Sequence, residues 1–101
     1  MKSVTRPVHP GQIIRQKLQT LGVSISAAAR TLGINRTNFS DLVNGHAGIS
    51  ARVALRLSAG LGGTPEEWMQ HQTDYELHLA RGRIRAISRQ VRKIEGRHDA
   101  Q

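Results

Sequence analysis

The sequence predicts an all-α chain: five helices followed by a C-terminal helical extension. Three observations carry this. Apolar residues recur at three- and four-residue spacings in segment after segment, the period of a helix face. Cap residues and glycines punctuate those segments at helix-length intervals. No stretch alternates apolar and polar residues as a half-buried strand would.

Helix 1 opens at His9-Pro10-Gly11, where Pro10 suits a first helical position. Ile14, Leu18 and Leu21 fall on one face, and Gly22 stops the helix. Ser24 is the expected N-cap of helix 2, over about 25–32, with Ala28, Ala29 and Leu32 inward. Small residues there let the next helix cross closely. Gly33 suits the left-handed backbone that ends a helix, and Ile34 tucks back into the core. Asn35 caps helix 3, about 36–43, and Asn44-Gly45 ends it. After a loop over His46 to Ile49, Ser50 caps helix 4, about 51–60, whose inner face is Val53, Ala54, Leu57 and Leu61. Gly62-Gly63 breaks the chain. Thr64-Pro65-Glu66-Glu67 then reads as a capping box with proline at the first position, opening helix 5. That helix carries Trp68, Tyr75, Leu77 and Leu79. The helical rhythm persists beyond Gly82 through Ile84, Ile87, Val91 and Ile94.

With 101 residues there is room for one domain and short tails. A chain of this size can bury a modest core without covalent staples. It has no cysteine, which excludes disulfides and thiolate zinc sites and suits a reducing cytoplasm. The formal charge of +8 implies a surface built for polyanions. Met1 to Pro10 lack an apolar run, so no secretory leader is expected. Nowhere do the roughly 18 consecutive apolar residues of a membrane helix occur, so no membrane partner is expected. Phe39, Trp68 and Tyr75 are the whole aromatic complement, too few rings for a single-strand stacking platform.

Ser24 to Phe39 is the most informative segment. Two short helices joined at Gly33 form a helix-turn-helix, a shape that lays its second helix in the major groove of double-stranded DNA. At about 100° per residue, Phe39, Leu42 and Val43 cluster on one side of helix 3 and face the core. The other side then shows Thr37, Ser40, Asp41 and Asn44, with Arg36 and Asn38 on the flanks. These are the candidate base readers: Arg36, Thr37, Asn38, Ser40 and Asp41. Arg36 can bond guanine with a bidentate fork and Asn38 can do the same for adenine. Thr37 can offer its methyl to thymine, and Asp41 can accept from cytosine. The alternative is an ordinary solvated face. Yet Thr, Asn, Ser and Asp are mediocre helix formers, and a surface helix chosen for stability favours Glu, Lys and Ala. Candidate phosphate contacts are Ser24, Ser26, Asn35, Asn44, His46 and Arg52, around the N-terminus of helix 2 and the end of helix 3. For Arg52 and Arg56 a solvated helix face is an equal alternative.

Residues 81–97 hold seven basic side chains against one acid, Glu95. Their apolar residues, spaced 3, 4, 3 at Ile84, Ile87, Val91 and Ile94, make a two-per-heptad seam for pairing with another helix. Packing on its own domain, pairing across a dimer, and lying on a membrane or nucleic acid are the alternatives; basic amphipathic helices that bind membranes usually show Trp, Phe or Leu, and this one has only β-branched residues. Helix 5 is therefore expected to run on into packing or dimerisation, with Trp68, Tyr75, Ile84, Ile87 and Val91 as dimer or partner contacts.

The five histidines, His9, His46, His71, His78 and His98, show no pair at i, i+4 and have no thiol to assist them, so neither a metal site nor a cofactor is expected. No nucleophile with an orienting base stands out, so no enzyme is expected.

The run Gly33 to Gly45 resembles the helix-turn-helix of phage-repressor-like, or Xre, regulators, which implies a lambda-repressor-like domain. More specifically, His9-Pro-Gly-Gln-Ile-Ile-Arg15, Gly48 to Leu57, Thr64-Pro-Glu-Glu-Trp68 and Gln72-Thr-Asp-Tyr-Glu-Leu77 resemble HigA antitoxins. The resemblance covers about residues 9–81. It departs from the family pattern at Glu67 and His71, both on helix 5. It implies a dimer that represses its own operon at a palindromic operator. It also implies neutralisation of a HigB-type toxin, an mRNA-cleaving RNase. By motif position, base reading falls on Arg36, Thr37 and Asp41, and phosphate contact on Asn44 and the loop after it. The expected organisation is a loose arm over 1–8, an Xre-type DNA-binding domain over 9–81 and a basic amphipathic extension over 82–101. A standalone Xre regulator without a toxin is the alternative.

Overall fold

Residues 6–95 are described by the computed structural model. Residues 1–5 of the expected arm lie outside them, as do 96–101 of the extension, including Arg97 and His98. The helices are α1 Pro10–Leu21, α2 Ile25–Leu32, α3 Arg36–Val43, α4 Ala51–Leu61, α5 Pro65–Ala80 and α6 Ile84–Gln90, with a 3-10 turn at Arg81–Arg83 between the last two. The described residues contain no strand.

Each start has a local cause. The side chains of Ser24, Asn35 and Ser50 accept from the backbone N–H three residues on, at 3.1, 3.0 and 3.2 Å. These bonds satisfy donors that a helix leaves unpaired at its first turn. Thr64 and Glu67 form the reciprocal capping box, with bonds of 3.0 and 2.9 Å. Helix 1 has a cap the sequence did not suggest: Nδ1 of His9 accepts from the N–H of Gly11 at 2.9 Å.

One core joins α1 to α5. It comprises Ile14 and Leu18, then Ala28, Ala29 and Leu32, then Phe39, Leu42 and Val43, with Ile49, Ala54, Leu57 and Trp68. Gly11 marks a close crossing, where α1 meets the end of α3. A Cβ there would strike the carbonyl oxygens of Leu42 and Val43. Leu21, expected on the same face as Ile14 and Leu18, is 62% exposed, because it ends α1 beyond the core.

Two expectations for the C-terminal part are corrected. Helix 5 does not run through: it ends at Ala80, and α6 ends at Gln90. Val91 is extended, with φ −106° and ψ 129°, so the four-residue seam is helical only at Ile84 and Ile87. A seven-residue helix with no buried side chain has no tertiary packing to propagate it. No residue of α6 is buried.

Candidate nucleic-acid interface

Gly33 makes the turn. Its φ of 72° and ψ of 32° lie in the left-handed region that a side chain disfavours. The N–H of Ile34 then closes back on the carbonyl of Ala29 at 2.9 Å, fixing the angle at which the chain leaves α2. Arg56 of α4 adds a bond from Nη1 to the carbonyl of Leu32 at 3.1 Å. It therefore ties the end of α2 while remaining exposed.

Helix α3 is rolled into place by Phe39, Leu42 and Val43, all essentially buried. Thr37 then points away from the core with Arg36 and Asn38 exposed on its flanks, and Ser40 and Asp41 are half-exposed beside them. All five sequence-derived base readers thus share one accessible face at the N-terminal end and middle of α3. Arg36 does not float there: its Nε donates to Oγ of Ser26 on α2 at 2.7 Å.

The groups around α3 divide into free and engaged. Ser24 and Asn35 are exposed, but their side-chain oxygens serve as helix caps. His46 and Arg52 are exposed. The backbone N–H of His46 donates to the carbonyl of Asp41 at 2.7 Å, which folds the loop back on α3. Asn44 is tied at both ends. Its Oδ1 accepts from Nη2 of Arg15 at 2.5 Å, and its Nδ2 donates to Oγ of Ser40 at 3.3 Å.

Two residues here escaped the sequence reading. Arg15 projects from α1 beside the end of α3 and carries a full charge into this face. The clue was Gly11 one turn earlier, since a residue without a side chain marks where α1 approaches its neighbour. Gln72 is buried on α5. Its Oε1 accepts from the N–H of Ile49 at 2.9 Å, and its Nε2 donates to Glu76 at 2.8 Å. It pins the loop after α3, and no local pattern announces such a long-range bond.

The groups assigned to dimer or partner contact are placed less uniformly. Trp68 is corrected: it is 3% exposed, and its Nε1 donates to the carbonyl of Gly62 at 3.0 Å, so it is a core residue. The first turns of α5 pack against α4 and α1, which carries Trp68 inward. Tyr75 is half-buried, edge-on to His9 with ring centres 5.1 Å apart. Ile84, Ile87 and Val91 are exposed.

A helix-turn-helix family model matches residues 14–68. Virulence-associated protein A' of Dichelobacter nodosus is 42% identical over 72 residues, covering 70% of this chain and 63% of its own length. Antitoxin HigA-1 of Vibrio cholerae is 33% identical over 94 residues, covering 92% of this chain and 89% of its own. The chain belongs to the HigA antitoxin family. The solved structure of Pseudomonas aeruginosa antitoxin HigA with the higBA promoter superposes with a TM-score of 0.80. It is 32% identical and covers 89% of this HigA-family chain and 100% of its own. The two departures from the family pattern are accommodated locally. Glu67 completes the capping box of α5, and His71 packs edge-on to Trp68 with centres 6.0 Å apart. Among the described residues no helix is long and apolar enough to cross a membrane.

Proposed function

We propose that this protein is a non-enzymatic, cytoplasmic repressor and antitoxin that binds its own operator as a dimer and neutralises a HigB-type toxin. One observation carries the DNA half. The buried stripe of α3 leaves Arg36, Thr37, Asn38, Ser40 and Asp41 on one accessible face, in a chain of formal charge +8. Support comes from a similar antitoxin whose structure holds promoter DNA. In this reading, Arg36, Thr37, Asn38 and Asp41 meet base edges in the major groove, with Ser40 at their margin. His46, Arg52 and the N-terminus of α2 with Ser24 and Ser26 meet phosphates, and Arg15, steadied by Asn44, joins them. Asn35 contributes through the helix end it caps.

Two copies must present their α3 helices about 34 Å apart to meet successive major-groove faces of an inverted repeat. Gel shifts with the chain's own promoter region test this. Binding should fall steeply with salt through counterion release. Arg36→Ala should weaken operator binding by about 1–3 kcal/mol. Unchanged affinity and sequence preference for both Arg36→Ala and Thr37→Ala would refute the assignment of readers. The antitoxin half is tested by co-expression with the product of the adjoining gene. Co-purification supports it, and separate elution leaves a standalone regulator.

A further inference from the structure

The bond between Ser26 and Arg36 has a consequence for how this face selects bases. Arg36 is the first residue of α3 and Ser26 the second of α2, ten positions apart in the chain. Ser26 is not the cap of its helix, because Ser24 fills that role. Its hydroxyl is therefore free for another purpose, and at 2.7 Å from Nε of Arg36 it has one.

A guanidinium offers two forks of parallel N–H groups, one made by Nε with an Nη and one made by the two Nη groups. Either matches the O6 and N7 acceptors of guanine. Occupying Nε removes the first fork and leaves the second. It also fixes the side chain near its middle, so less rotamer freedom remains to be lost when a base is met. A serine hydroxyl that accepts still keeps its own proton to donate. On the edge of α2 that proton can go to a phosphate oxygen.

We infer that Ser26 is a positioning residue for base recognition: by holding Nε it makes Arg36 present its terminal Nη fork to guanine. The inference rests on the assignment of Arg36 as a base reader. Thymine and adenine at the same place lack the O6/N7 acceptor pair. The selectivity of Arg36 then depends on a residue of the other helix that touches no base.

The test uses the full-length protein and its promoter fragment, with every half-site position permuted and binding measured across a salt series. Arg36→Ala first identifies the position it reads, as the one where base preference flattens. Ser26→Ala should flatten the same position by about three- to tenfold, the range of one lost hydrogen bond, and leave the salt slope unchanged. Ser26→Thr, which keeps the hydroxyl, should retain the preference. Ser26→Val, of the same size without it, should behave like the alanine variant. The double variant with Arg36→Ala should be no flatter than Arg36→Ala alone. The inference is overturned if Ser26→Ala leaves that position selective. It is equally overturned if the variant weakens all sequences alike, as loss of a neutral phosphate contact alone would. If Arg36→Ala flattens no position, the reader assignment itself falls. If it flattens one and Ser26→Ala does not, the positioning role alone falls.

Discussion

The two ends of this molecule use the same residue types to opposite effect. In α1 to α5, apolar residues at helical spacing close on one another, and Ile14 is wholly buried. In α6, Ile84 and Ile87 follow the same spacing yet remain 55% and 43% exposed. Periodicity gives a helix an apolar side; it does not supply what covers it. For α1 to α4 the cover comes from neighbours joined by short turns. For α6, no side chain is buried by the described residues. The first half of α5 belongs to the core through Trp68 and Gln72, whereas Leu77 and Leu79 beyond Tyr75 already face solvent.

The sharpest way to break this contrast is one substitution made at both ends. Ile14→Ala should cost about 2–5 kcal/mol, for a buried side chain removed from a packed core. Ile87→Ala should stay within about 0.5 kcal/mol, as for a surface position. Urea unfolding at low protein concentration measures both. An equal cost at Ile87 would mean that α6 is covered in solution. The glycines allow a milder version. Gly11→Ala forces a Cβ into the carbonyls of Leu42 and Val43, and should cost about 1–3 kcal/mol by overpacking. Gly82→Ala meets nothing within 4 Å. It should instead raise stability or helicity by up to about 1 kcal/mol, which circular dichroism will register.

The same contrast explains what was legible beforehand. Every sequence-derived N-cap, Ser24, Asn35, Ser50 and Thr64, caps its helix, because capping is decided within four residues. The outward face of α3 was legible for a similar reason: three buried residues in eight fix the rotation of a short helix. Trp68 was misplaced because an aromatic on an amphipathic helix suits a core or an interface equally, and only the direction of α5 chooses between them. Gln72 and the link from Ser26 to Arg36 were not legible, and Arg15 only through Gly11 one turn earlier. They depend on side chains from distant segments meeting, and no local periodicity encodes that. The end of α5 is not legible because the apolar rhythm continues where the packing stops.

Thr64→Ala probes the junction between the two regimes. It removes one half of the capping box and should cost about 1 kcal/mol. Thermal melting should show the loss in the main transition, because Trp68 ties this turn to the core. A melt in which only a minor helical phase shifted would place the start of α5 outside the cooperative unit.

The smallest expected effect on stability carries the most information about assembly. Ile84→Ser combined with Ile87→Ser removes the two helical apolar residues of α6, each already exposed, so dilute protein should unfold as the parent does. If the C-terminal segment is where two copies meet, the same change should shift sedimentation from dimer toward monomer. Operator binding should then require higher protein concentration, because each half-site contact would no longer bring the second with it. If the dimer persists, the exposed stretch of α5 around Leu77 and Leu79 becomes the surface to alter next. An undiminished dimer after both changes would show that the bare apolar side of this end of the molecule is not how copies associate.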